Sequence, residues 1–76
     1  GVRANCVCPG DIKTDMTRKS FKDEVLHKER LDRMIIKRWG EVDDITGAAI
    51  FLASNASSYM TGSDVVVDGG WVAKGI

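Results

Sequence analysis

The residues best equipped for chemistry lie together near the start of the chain, in the run Cys8-Pro9-Gly10-Asp11-Ile12-Lys13-Thr14-Asp15-Met16-Thr17. Proline cannot donate a ladder hydrogen bond and glycine reaches backbone angles that other residues avoid, so a strand should stop at Pro9-Gly10 and the chain turn. Within the turn, Gly10 permits close backbone approach, Ile12 offers a backbone donor and acceptor, and Thr14 carries a hydroxyl that can act as either. Such a set matches a ligand with an amide. The same residues also suit a plain strand-to-helix turn with Thr14 or Asp15 as N-cap, and local chemistry leaves both readings open.

Other reactive side chains carry less. Cys6 and Cys8 sit two apart in a strand-like run and so point to one face, which is poor geometry for a disulfide. His27 is the single histidine and there is no second cysteine pair, so no metal site is expected and both cysteines read as small buried hydrophobes. His27, among Leu26, Lys28 and Glu29, reads as a solvated helix residue. Asp11 and Asp15 read as a solvated turn and cap rather than as an acid and base.

These groups must be positioned by the flanking elements. Residues 2–8 read as a strand, with Val2, Ala4, Cys6 and Cys8 on one face and Arg3, Asn5 and Val7 on the other. Residues 17–36 are mostly polar, with Phe21 and Val25, then Leu31 and Ile35, spaced four apart; this predicts one or two amphipathic helices. Glu24 with Lys28, and Glu29 with Arg33, are spaced for pairing on the exposed side. Arg38-Trp39-Gly40 breaks the pattern, and Glu41, Asp43 and Asp44 place negative charge where a helix N-terminus favours it. Ile45, Ala48, Ala49, Leu52 and Ala53 then give one apolar stripe, and close packing on a sheet would explain Gly47 inside it. Residues 55–62 form a polar return path. Val65-Val66-Val67 is a β-branched run expected of a strand buried on both faces, closed by Asp68-Gly69-Gly70. Trp39 is expected in the core beside the following helix, and Trp71 at a subunit interface or bordering a substrate entrance. The fold class is therefore α/β: strand, helices, strand, with the two strands parallel.

Composition bounds the partners. Seventy-six residues with 43% hydrophobic content can fold, but only around a thin core, since a chain this short buries about 60 to 65% of its unfolded surface. Lys plus Arg and Asp plus Glu number 11 each, so no excess charge points to nucleic acid or an anionic membrane. No apolar run approaches the roughly 18 to 20 residues that cross a bilayer. The chain reads as cytoplasmic. It opens at Gly1 directly before a strand-like run, which reads as the middle of a longer polypeptide.

The runs "VRANCVCPGDIKTDM" and "RWGEVDDITGAAIFLASNASSYMTGSDVVVDGGW" together resemble the C-terminal part of the short-chain dehydrogenase/reductase family, and the likeness covers nearly the whole chain. Its carriers are Asn5 with Pro9-Gly10 and Thr14, followed in order by Arg38, Gly40, Phe51-Leu52-Ala53-Ser54, Thr61-Gly62 and Val67-Asp68-Gly69-Gly70. "RWGE" and "VDGGWVAKG" are similar to its gluconate 5-dehydrogenase and 2-deoxygluconate dehydrogenase branch. The resemblance implies a Rossmann-type doubly wound parallel sheet of which residues 1–76 are the C-terminal portion. It also implies NAD or NADP as cofactor, and oxidation or reduction of a hydroxyl or keto group on a small molecule, such as a sugar acid. Pro9 and Gly10 would shape the approach to the nicotinamide, whose carboxamide would be bonded by the Ile12 backbone and the Thr14 hydroxyl. Met16 and residues 16–36 would form the mobile substrate loop. Ile45 to Ala53 and Val65 to Val67 resemble the family's subunit-contact region, implying a homo-oligomer, although a core-only role stays open.

The family's glycine-rich phosphate turn, its Ser and its Tyr-x-x-x-Lys are not in these residues; Tyr59 is followed four places on by Ser63. No catalytic residue is assigned, and the segment alone is expected to be inactive until joined to the missing N-terminal part of the fold. Val42 stands where relatives often carry Pro. The alternative is a truncated, non-catalytic piece acting only in association, through its unpaired edge and apolar helix faces.

Overall fold

The structure is a computed structural model that describes residues 1–75. Two strands, β1 (Cys6–Pro9) and β2 (Asp64–Val67), pair in parallel with Cys6 opposite Asp64 and Pro9 opposite Val67. Parallel neighbours need a crossover, and here it contains α1 (Arg18–Lys22), α2 (Glu24–Asp32) and α3 (Asp43–Ala53). A 3-10 turn at Asp15–Thr17 precedes α1, a second at Asn55–Ser57 follows α3, and a short α4 (Trp71–Lys74) closes the chain.

The first strand is shorter than the predicted 2–8. Ala4 instead receives a hydrogen bond from Gly62 N–H (2.7 Å) and donates to Thr61 Oγ1 (3.2 Å), because a turn rather than a strand lies beside it. The polar side chains of this stretch then tie the return path. Asn5 Nδ2 donates to Met60 O (3.2 Å) and Asn5 Oδ1 accepts from Ser63 N–H (3.0 Å). Arg3 reaches Ser57 O (2.7 Å) and Met60 O (3.1 Å) in the return path and Leu52 O (3.4 Å), one of the carbonyls that the end of α3 leaves without an intrahelical donor.

The predicted polar stretch of residues 17–36 divides at Asp23, whose extended backbone ends α1 while its Oδ1 accepts from Val25 and Leu26 N–H (3.1 and 3.2 Å). Helix α2 stops at Asp32, short of Ile36, because Ile35 and Ile36 turn their N–H groups to Gly69 O (3.0 and 2.8 Å). Neither Glu24–Lys28 nor Glu29–Arg33 forms an ion pair among the described residues; Arg30 turns inward to Asp11 and Arg33 lies over the Trp71 ring.

Among the described residues, only Met34 and Trp39 are buried hydrophobics. Trp39 is in the core as expected, but its ring neighbours precede it: Phe21 meets it edge-on (centroids 5.6 Å) and His27 stacks on it (6.0 Å). His27 is thus part of an aromatic cluster and not a solvated residue. Trp71 is half-buried, with the Arg33 guanidinium 5.6 Å from its ring centroid. The sheet face bearing Val7, Val65 and Val67 is half-buried, with α3 packed on the strands. The opposite face is open: Cys6 is exposed, Cys8 half-buried and Val66 50% exposed, where burial was predicted for all three. Gly47 also departs from expectation, since a Cβ there would meet no atom within 4 Å.

Candidate functional site

The segment after β1 is held from three sides. From β2, Val67 O accepts from Gly10 N–H (3.0 Å), and a Cβ on Gly10 would stand 2.7 Å from the Asp68 Cα. The close approach that glycine permits here is to the neighbouring strand's end, whereas the sequence suggested a ligand. From the segment before α3, Gly40 N–H donates to Asp11 O (2.8 Å) and Lys13 N–H to Gly40 O (2.9 Å), forming an isolated parallel bridge between Ile12 and Gly40. From α2, Arg30 Nη1 donates to Asp11 Oδ1 at 2.8 Å. The Asp11 side chain is 15% exposed, so it is a paired and largely covered carboxylate instead of a solvated turn residue.

The parallel bridge decides what Ile12 can offer. In such a bridge the central residue's own N–H and C=O face away from the partner. The Ile12 carbonyl is taken by Thr17 Oγ1 at 2.6 Å, and among the described residues nothing accepts from Ile12 N–H. Thr14 occupies the N-cap position of the 3-10 turn and is arranged with Thr17 as a capping box. Its N–H donates to Thr17 Oγ1 (2.9 Å), and its hydroxyl is exposed, 3.4 Å from Thr17 Oγ1. An unpartnered N–H and an exposed hydroxyl two residues apart, at the carboxyl end of a parallel strand, offer one donor and one group able to accept, a pair whose chemistry fits a carboxamide. That is the place where open parallel sheets bind ligands.

The predicted residues do not share one cavity. Pro9 and Gly10 line a hollow with Cys8, Asp68 and Trp71; Ile12 lines another, of about 150 Å³, with Met34, Arg38 and Gly40; Thr14 lines a third with Thr17 and Phe21. Met16 is 96% exposed on the 3-10 turn. Asp15, also exposed, pairs with Arg18 (2.8 Å) as a solvated residue of the turn. Sequence reasoning overlooked Thr17, Arg30 and Gly40. The three-residue spacing of Thr14 and Thr17 was a legible signal, whereas the partners of Arg30 and Gly40 lie across the fold.

Two carboxylates buttress the site. Arg38, hydrogen-bonded to Asp44 through both terminal nitrogens (2.9 and 3.2 Å), holds that carboxyl down at about 2, helped by Glu41 N–H (2.7 Å). Asp68 is held below the usual carboxylate value chiefly by Val72 N–H (3.0 Å), with Gly70 N–H (2.8 Å) on its other oxygen.

Parallel strands joined through helices, with a polar loop at their carboxyl end, define the α/β class to which Rossmann-type proteins belong. Within that class the chain belongs to the short-chain dehydrogenase/reductase family: residues 1–72 match the family model described as Enoyl-(Acyl carrier protein) reductase. It is 43% identical over 74 residues to the 2-dehydro-3-deoxy-D-gluconate 5-dehydrogenase of Bacillus subtilis (strain 168), a match covering 97% of this chain and 29% of that protein. A gluconate 5-dehydrogenase from Burkholderia cenocepacia J2315, solved in complex with NADP and tartrate, superposes with a TM-score of 0.92 at 40% identity over 96% of this chain and 29% of its own. A 4-hydroxyisoleucine dehydrogenase complexed with NADH superposes at 0.91 with 33% identity, over 95% of this chain and 30% of its own. The chain thus spans under a third of the length of the relatives it matches. No helix among the described residues is long and apolar enough to cross a membrane.

Proposed function

We propose that these residues are the C-terminal portion of a cytoplasmic, homo-oligomeric NAD(P)-dependent oxidoreductase that acts on a hydroxyl or keto group of a sugar acid. Pro9, Gly10, Ile12 and Thr14 hold the nicotinamide end, and residues 16–36, with Met16 foremost, cover the substrate. The observation that carries this reading is the free Ile12 N–H beside the exposed Thr14 hydroxyl. When bound, the cofactor supplies the hydride acceptor or donor. The chain's own part is positional: a carboxamide has a donor and an acceptor, so holding both selects which ring face meets the substrate. Residues 16–36 help to exclude water.

The exposed surface supports a portion of a larger domain. The chain exposes 5719 Å², against about 4,600 Å² for a compact monomer of this mass. Its radius of gyration is 14.3 Å, where a compact chain of this length has about 11 Å. In the full-length polypeptide carrying these residues, Thr14→Ala should raise the Kd for NAD(P)⁺ about tenfold, the effect of one lost hydrogen bond. Unchanged affinity overturns the clamp.

One observation favours a second reading. Ile50 (63%), Phe51 (38%) and Val66 (50%) leave apolar surface exposed, which suits a non-catalytic association module. Binding of NAD(P)⁺ by the isolated chain at micromolar concentration would count against it. Self-association without such binding would favour it.

A further inference from the structure

We infer that Thr17, which is not one of the residues that hold the nicotinamide end in the proposed reading, is the positioning residue that sets the hydrogen-bond polarity of the Ile12–Thr14 clamp; the inference rests on that reading. A threonine hydroxyl has one proton and two acceptor positions. The shortest of its contacts, 2.6 Å to Ile12 O, takes the proton. Thr17 Oγ1 can then only accept from the other side, and it does so from Thr14 N–H at 2.9 Å. The longer contact with Thr14 Oγ1, 3.4 Å, therefore has Thr14 as its donor.

Two consequences follow for a ligand. The Ile12 carbonyl is already engaged, so Ile12 presents its N–H alone. The Thr14 hydroxyl, its proton turned toward Thr17, presents lone pairs. The clamp then reads a donor and an acceptor in one order: the carboxamide oxygen at Ile12 N–H and the carboxamide NH₂ at Thr14 Oγ1. A carboxylate in the same place would set its oxygen against the Thr14 lone pairs. Without the Thr17 hydroxyl, Thr14 is released to rotate and donate to that oxygen, so preference for the amide should fall.

The test measures Kd by titration calorimetry for NAD⁺ or NADP⁺, whichever binds the full-length polypeptide more tightly, and for its deamidated counterpart with a nicotinic acid ring. The expected result is that the parent prefers the amide about tenfold or more. Thr17→Val, isosteric and without the hydroxyl, should weaken amide binding about tenfold and shrink the amide-over-acid ratio, while Thr17→Ser restores both. Thr17→Val with parental affinity and ratio, beside a weakened Thr14→Ala, overturns the role of Thr17 and leaves the clamp standing. A Thr14→Ala variant that binds as the parent does overturns the clamp itself. Should Thr17→Val not fold, the parent decides: equal affinity for amide and acid overturns the inference, and a strong amide preference kept by Thr17→Ser supports it.

Discussion

The carboxyl ends of the two strands and the outer side of α3 are built on opposite terms. At the strand ends, Gly10 lies against the Asp68 backbone, Gly40 bridges Ile12, Ile35 and Ile36 donate to Gly69, and Asp68 caps α4. On the outer side, Gly47 faces open space and Ile50 and Phe51 are exposed. Backbone groups near a ligand site must be held by partners that the chain itself provides, since their geometry has to exist before the ligand arrives. Apolar side chains need only be covered, and the cover can come from another element or another subunit. The contrast supports a site half belonging to a larger fold.

The sharpest way to break the tied region is Gly10→Ala. Its Cβ would meet backbone 2.7 Å away, so the strand ends must part, and a loss of about 2–4 kcal/mol is expected in denaturant unfolding of the full-length polypeptide. A parental midpoint would mean that the two strand ends do not meet so closely. Arg3→Ala comes next. It leaves the carbonyls of Leu52, Ser57 and Met60 without their cation and should lower stability by about 1–2 kcal/mol, read as a fall in Tm.

The open side is sharpened by Gly47→Ala. With nothing within 4 Å of the new methyl, helix propensity alone should raise stability by about 0.5–1 kcal/mol in the isolated chain. If the same change destabilises the full-length polypeptide, another surface lies against Gly47 there, and sedimentation velocity would show whether that surface belongs to a second copy.

The smallest effect belongs to the exposed Arg38–Asp44 pair. Asp44 titrates at about 2 in the fold, below its ordinary 3.8. Its contribution is thus fully present above the ordinary value and is lost as the pH falls from there toward 2. Asp44→Asn should flatten the acid limb of the stability profile in that window, and a profile identical to the parent's would show that the pair contributes nothing.

Much of this was legible. β1 ended at Pro9-Gly10, with Pro9 its last paired residue, Val65-Val66-Val67 formed most of β2, and the stripe from Ile45 to Ala53 formed α3 with acidic residues in its first turn. The Thr14 hydroxyl was legible from residue type, whereas the Ile12 backbone groups are common to every residue but proline and were singled out through the family resemblance. The break at Asp23 was written in the sequence as an N-cap and went unread because the apolar spacing ran across it.

The amino-acid sequence by itself determined the element types, the place of the turn after β1 and the presence there of groups that can donate and accept hydrogen bonds, since backbone restriction and side-chain chemistry are local. Only the tertiary structure decided which of those groups stay free. The Ile12 N–H is available because Gly40, 28 positions away, takes the flanking groups, and because Thr17 fills the Ile12 carbonyl. Likewise Asp11 is covered by Arg30 and His27 lies on Trp39, pairings set by how α2 folds back. A hydrogen-bonding group is free or engaged according to what stands opposite it, and what stands opposite comes from distant parts of the chain.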